Sequence, residues 1–240
     1  MADELFRLRV SYRKGDRLAY LGHREVINTV ERSVRRSGLP FSVGNGFARR
    51  MRVQFSQALP VGAFSDGEYY DVMLTEQVSN DKALAMLAKA TPPALGPLTT
   101  AYVERRMPAL EAWLNRALWR IDIDGERLDA AVLDHALATV AQRGSIDFMR
   151  GDKPRTIELA TTLVSWEVQP RDGGLSVQLE TRSSNVGALR PAVLLDAAFA
   201  EEELCDATRR SQRVCRMGQW HEEDGRLVKP FDKTFSWSLT

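Results

Sequence analysis

Over its first 106 residues the chain changes hydrophobic period from two to nearly four and back, twice, and that order limits the folds open to it more than any other feature. Phe6-Arg-Leu-Arg-Val-Ser-Tyr12 alternates apolar and polar residues as a half-buried strand does, and Lys14-Gly15-Asp16 supplies turn residues after it. From His23 to Ser37, Val26, Ile27, Val30 and Val34 form one helical stripe, which Gly38 and Pro40 end. Arg24, Arg32, Arg35 and Arg36 lie mostly off that stripe and are expected to face solvent or a ligand. A glycine-bearing loop, Val43-Gly-Asn-Gly-Phe47, leads through Ala48-Arg-Arg-Met-Arg52 to a strand near Val53–Ala58. A third strand over Glu68–Leu74, a helix from Asn80 to Ala90 stopped by Thr91-Pro-Pro93, and a fourth strand over Thr99–Arg106 complete the order βαββαβ. That is the ferredoxin-like unit, in which two helices pack on one face of a four-stranded antiparallel sheet.

The rest of the chain repeats the rhythm less regularly. Leu118-Trp-Arg-Ile-Asp-Ile123 alternates like a strand, and Arg127–Arg143 has helical spacing through Leu128, Val132, Leu133, Leu137 and Val140 before Gly144. Thr156–Val168 and Leu175–Thr181 read as a hairpin joined by Pro170-Arg-Asp-Gly-Gly174. Pro191–Phe199 reads as a helix begun by proline, Glu201-Glu-Glu203 as an acidic surface run, and Phe231–Leu239 as a last strand. The expected architecture is α+β, tandem ferredoxin-like (βαββαβ) units with antiparallel sheets, residues 1–110 carrying a basic face and residues 117–240 forming the second unit.

The 33 basic and 32 acidic residues cancel over the whole chain, but not locally. Residues 1–60 hold twelve Arg or Lys and five acids, a net of +7 that leaves −6 for the other 180 residues. Eleven of those twelve are arginine, whose planar fork suits phosphate and stacked bases. No run of about 18 apolar residues could span a membrane, and Met1–Arg7 lacks the apolar core of a signal peptide, so a cytoplasmic protein without membrane contact is expected. Cys205 and Cys215, with His221 beyond, have neither the spacing of a zinc site nor the number an iron–sulfur cluster needs. No metal and no cofactor is expected.

Arg24, Arg32, Arg35, Arg36, Arg49, Arg50 and Arg52 form the main candidate constellation, a set of phosphate clamps, with Phe47 and Tyr20 available to stack on bases. The competing reading is a solvated helix face and a basic lead-in to a strand, partly neutralised by Glu25 and Glu31. Gly44-Asn-Gly46 lacks the lysine and spacing of a phosphate loop and reads as a turn. Glu68 and Asp71 flank Tyr69-Tyr70 on a strand, where alternation places the two acids on opposite faces, as surface groups or partners of nearby arginines. His23, at a helix start, is expected as a neutral ring.

Tyr20-Leu-Gly-His23, Glu31-Arg-Ser-Val-Arg-Arg-Ser-Gly-Leu-Pro40, Gly44-Asn-Gly-Phe47, Leu59-Pro-Val-Gly62 and Glu68-Tyr-Tyr-Asp71 follow one another in an order that resembles the radical-SAM-linked protein family. Phe148-Met-Arg-Gly-Asp-Lys-Pro154 and Leu189-Arg-Pro191 extend the resemblance over most of the chain. Members of that family are bacterial proteins encoded beside, or fused to, a radical SAM protein, so the resemblance implies such a protein as partner. Two departures stand out. Gly22-His-Arg-Glu25 replaces the family's usual Ser-His-Leu-Asp, and Ala48-Arg-Arg-Met51 replaces its Asn-Pro-His-Pro, which removes a second histidine.

These features together predict a non-catalytic accessory protein that binds RNA, tRNA included, through the arginine face, the second unit completing a cleft or docking the protein partner. One alternative is a metal-independent RNA endonuclease using His23 with Tyr20 and Lys14, by fold-level analogy to CRISPR repeat-RNA endonucleases. The other is a protein-interaction subunit with no nucleic-acid role.

Overall fold

A computed structural model describes residues 4–47, 49–125, 129–184, 187–201 and 212–232. It is a mixed α/β fold whose strands pair mostly antiparallel, with six α-helices among the described residues. They fall into two units, one reaching Leu114 and resuming at Gln219, the other spanning Asn115–Gly218.

The first unit contains β1 (Phe6–Lys14), α1 (His23–Ser37), β2 (Val53–Phe55), β3 (Ala63–Leu74), α2 (Asn80–Ala90), β4 (Pro97–Val103) and the single turn α3 (Leu110–Trp113). β1 lies between β4 and β3, and β2 pairs with β3, every pair antiparallel. α1 starts at Gly22, whose backbone N–H donates to Glu25 Oε2 at 2.8 Å, and ends at Gly38 with φ 78°. Its stripe of Val26, Val30 and Val34 packs with Leu8, Val10, Tyr12, Tyr70, Val72 and Leu74, the side chains that β1 and β3 turn toward the helices.

The opposite sheet face is where the half-buried expectation for β1 fails. Alternation puts Arg7 and Arg9 on that face, and both are buried. The cause is residues 107–114 of the same unit, which form a second core of Met107, Leu110, Trp113 and Leu114 that packs with Val103 and Tyr69. A strand with neighbours on both sides and cover on both faces has no wet surface left for its polar residues. They must pair inside.

The second unit runs β5 (Arg116–Asp124), α4 (Ala130–Arg143), β6 (Ser145–Arg150), β7 (Lys153–Glu158), α5 (Leu159–Thr162), β8 (Leu163–Arg171), β9 (Gly174–Arg182), α6 (Pro191–Glu201) and the start of β10 (Gln212–Glu223). β9 pairs antiparallel with both β5 and β8, and β10 flanks β5 on its other side. The sequence places α4 over residues 127–143; it begins at Ala130, where Asp129 caps it by accepting from the Ala131 N–H at 2.8 Å, and residues 127 and 128 lie outside the described set. The single strand expected over 156–168 is interrupted. Thr162 Oγ1 donates to the Glu158 carbonyl at 2.6 Å and buries with Leu159, forming α5 and freeing β7 to pair with β6 as a separate hairpin. The β8–β9 hairpin forms where expected, its turn closing Arg171 against Gly174. Gly174 is required there: a Cβ would overlap the Ile123 carbonyl oxygen on β5.

β10 and β11 (Arg226–Val228) were not legible in the sequence, and residues 219–232 return to the first unit. The strand expected over 231–239 falls almost wholly outside the described residues, as do the acidic residues 202 and 203 and Cys205. Among the described residues no helix is long and apolar enough to cross a membrane.

Candidate functional site

Of the twelve basic residues in the first sixty, three are buried and held by the chain itself. On the covered sheet face, Asp71 lies directly across the β1–β3 ladder from Arg9 and diagonally from Arg7. Arg9 donates from Nε and Nη2 to the two Asp71 oxygens at 2.8 and 2.9 Å, a bidentate pair, and Arg7 Nε donates to Oδ2 at 2.7 Å. Two guanidiniums share one carboxylate, so the cluster carries a net positive charge. Carbonyl oxygens offset it: Met107 and Pro108 accept from Arg7 at 2.7 and 3.0 Å, Pro230 accepts from Arg9 at 2.6 Å, and Arg9 lies 4.9 Å from the Trp113 ring. Tyr69 on the same face has its phenol pKa raised by burial and by Glu68, against a smaller lowering by Arg9. Asp71 is thus a partner of arginines, as the sequence allows, but it is no surface group.

Lys14 is the third buried cation. Its ammonium donates to the carbonyls of Ala19 and Leu21 at 2.9 Å and of Ala63 at 3.3 Å. It lines, with His23, Tyr12 and the buried Glu68, a cavity of about 10 Å³, room for one water and no nucleotide. His23 packs edge-on against Phe55, ring centres 6.1 Å apart, while Tyr20 is 83% exposed. Lys14 and His23 therefore share a cavity that Tyr20 does not line.

The nine remaining basic residues are exposed, and the fold sorts them into groups. Arg24 stands beside His23 at the start of α1. Arg35 and Arg36 occupy its last turn, roughly 18 Å away at 1.5 Å per residue. Arg35 lies 5.7 Å from the Phe41 ring, Arg36 Nη2 donates to the Ala90 carbonyl at 2.8 Å, and Arg32 Nε donates to Asn28 O at 3.3 Å. Phe41 bridges to Leu74, so this end of α1 meets the end of β3. The glycine loop lies at the same end. Val43 bridges to Met51, the Gly44 N–H donates to Arg50 O at 2.8 Å and the Arg49 N–H to Gly46 O at 2.9 Å, which makes residues 43–51 a narrow hairpin projecting past β2.

Phe47 at the tip of this hairpin is 110% exposed relative to a reference residue, the most exposed large apolar side chain among the described residues. Arg49 and Arg50 beside it make no side-chain hydrogen bond or ion pair among the described residues, and Arg49 holds a left-handed φ of 41°. Arg52 does not join them. Met51, Val53 and Phe55 face the helix-side core, so alternation turns Arg52 and Gln54 to the other sheet face, toward Asp71 and Arg105. The hairpin thus carries Phe47, Arg49 and Arg50, and the last turns of α1 carry Arg32, Arg35 and Arg36. Arg105 was passed over because the sequence reading carried the fourth strand to Arg106, whereas β4 ends at Val103 and leaves Arg105 beyond it.

Among the described residues no three His, Cys, Asp or Glu side chains gather as a metal site. Cys215 is buried, and the His221 ring stacks on Trp113 with Nδ1 2.7 Å from the Trp113 carbonyl oxygen.

A family model described as an uncharacterized protein conserved in bacteria (DUF2344) matches residues 7–191. No curated protein matches the chain. The crystal structure of an unknown protein from Galdieria sulphuraria is similar over 89% of this chain and 98% of that one, at 12% identity and a TM-score of 0.26, a likeness too slight to carry an argument.

Proposed function

The chain belongs to this family of uncharacterised proteins conserved in bacteria, and from that premise we propose that it is a non-catalytic RNA-binding accessory protein of a radical SAM enzyme. RNA, with tRNA as one form of it, is held at the end of the first unit by the 43–51 hairpin and the arginines of the last turns of α1. The observation that carries this reading is Phe47, bare at a hairpin tip, followed by two exposed arginines whose side chains make no hydrogen bond or ion pair among the described residues. A flat apolar ring in water beside free guanidiniums suits an unpaired base stacked on the ring with its phosphates on the arginines. The strand order in each unit, first strand between third and fourth, supports reading both as ferredoxin-like.

The mode of binding differs from that of single-sheet RNA binders, which stack bases on the sheet face opposite the helices. Here that face is covered by residues 107–114, and its arginines are paired with Asp71. The reading therefore puts a strand of RNA at the edge and end of the sheet. The sequence resemblance to the radical-SAM-linked family supports a radical SAM protein as the partner that acts on the RNA so held.

The test is retention of a labelled tRNA by the full chain at low salt, compared with a variant carrying Arg35→Glu, Arg36→Glu, Arg49→Glu and Arg50→Glu. Loss of retention with an unchanged melting temperature is expected. Equal retention, or none by the unaltered chain, overturns the reading; a partner pulled down equally well after nuclease treatment, with no RNA retained, would instead favour a protein-interaction subunit.

A further inference from the structure

The sheet face opposite α1 and α2 holds a second cationic feature, separate from the Phe47 hairpin. A cavity of about 300 Å³, at the lower end of the range for small-ligand pockets, opens there between Arg52 and Arg105. Both guanidiniums are exposed, and neither makes a side-chain hydrogen bond or ion pair among the described residues. Asp71 is the one carboxylate among the described residues lining it, and its oxygens already accept three hydrogen bonds from Arg7 and Arg9. The one lining carboxylate is therefore already neutralised from behind by Arg7 and Arg9, and the two guanidiniums that line the cavity, Arg52 and Arg105, leave it positive.

Gln54 adds a donor. Its Oε1 accepts from Arg7 Nη2 at 3.1 Å, and because a guanidinium can only donate, this bond fixes the amide orientation and leaves the Gln54 NH2 group to donate elsewhere. Leu5 and Met73 supply an apolar wall. A cavity with uncompensated positive charge, two free planar forks, a fixed amide donor and an apolar side matches a doubly charged oxyanion attached to a small organic body.

We infer that this cavity binds a phosphate monoester, its phosphate clamped by Arg52 and Arg105 and its organic part against Leu5 and Met73. The phosphate can belong to a free mononucleotide-sized molecule or to the 5′ end of an oligonucleotide, since both present the same dianion. The inference does not depend on RNA binding at the hairpin.

The experiment titrates the full chain calorimetrically with adenosine 5′-monophosphate, adenosine and inorganic phosphate, then with a tetranucleotide carrying a 5′-phosphate or a 5′-hydroxyl. The monophosphate is expected to bind at least tenfold more tightly than adenosine. Arg105→Gln, an exposed substitution that leaves the buried cluster intact, is expected to weaken it at least tenfold, and Phe47→Ala to leave it unchanged. Tighter binding of the phosphorylated tetranucleotide than of the monophosphate identifies a nucleic-acid end as the source; equal or weaker binding identifies the free monoester. Equal affinity for adenosine and its monophosphate, or an Arg105→Gln variant that binds as the unaltered chain does, overturns the inference. Because Phe47→Ala alters the hairpin and leaves the cavity intact, its unchanged monophosphate affinity makes failure here distinguishable from failure of the hairpin site.

Discussion

Replacing Asp71 by asparagine changes almost no volume but removes the negative charge that Arg7 and Arg9 share. Three charge-assisted hydrogen bonds of 2.7 to 2.9 Å lose their ionised acceptor, and the amide nitrogen that replaces one oxygen confronts a donor. Both guanidiniums are at most 2% exposed, so water cannot take over. Breaking a buried ion pair by removing one partner costs about 3–5 kcal/mol, a large part of the roughly 5–15 kcal/mol that holds a domain folded. In urea, with a slope of about 2–3 kcal/mol per molar, the first unit's unfolding midpoint should fall by about 1–2 M. A double-mutant cycle sharpens the test: Arg7→Met should cost about 1–3 kcal/mol less in the Asp71→Asn background than in the unaltered chain, because the pair is already broken. A midpoint shift equivalent to under 1 kcal/mol, or additive single costs, would refute the claim that the covered sheet face is pinned by this cluster.

Gly174→Ala should destabilise the second unit by about 1–3 kcal/mol, since its Cβ meets backbone on β5 that cannot swing aside; a thermal midpoint unchanged from the parent contradicts the strand packing. Burial raises the Tyr70 phenol above its ordinary value of 10.0, so the folded state holds that proton more tightly than the unfolded state. The associated stability is nearly complete at pH 9 and is lost as pH rises through 10 and beyond, by about 1.4 kcal/mol between pH 9 and 11. Urea midpoints at pH 9 and 11 should show this loss in the unaltered chain and a smaller one in Tyr70→Phe. Incubated with labelled RNA in EDTA, the protein should leave the RNA intact, because the Lys14 ammonium is already held by three carbonyls; cleavage that disappears in His23→Ala would restore the nuclease alternative.

The order of elements in the first unit was legible because Val26, Val30 and Val34, and the alternation on either side of them, carry their period openly. What the period could not say was whether the polar side of β1 faces water. That depends on residues 107–114, about a hundred positions away, and burying Arg7, Arg9 and Lys14 removes three cations from a charge count that treats every arginine as available. β10 escaped notice for a related reason: Cys215, Arg216 and Gln219 are all buried, so its burial does not follow its polarity. The sequence grouped Phe47, Arg49, Arg50 and Arg52 as stacking and phosphate groups; the fold keeps the first three on one hairpin and turns Arg52 to the other sheet face. A single step along a strand reverses the face, and only the pairing of Gln54 with Asp71 shows which way Arg52 turns. Arg24 and His23 likewise share a helix with Arg35 and Arg36 but stand at its other end.

The most direct test of RNA binding at the hairpin is the salt dependence of affinity for a labelled single-stranded RNA, measured by fluorescence anisotropy between 50 and 300 mM potassium chloride, as ~50–300 mM brackets the range over which phosphate contacts weaken. With three or four arginines on phosphates, log K should fall against log salt with a slope of about −2 to −3. Arg49→Glu with Arg50→Glu should flatten that slope and abolish binding at the lowest salt, and Phe47→Ala should weaken binding by about 1–3 kcal/mol while leaving the slope in place. Affinity indifferent to both changes, or absent from the unaltered chain at the lowest salt, would contradict the account.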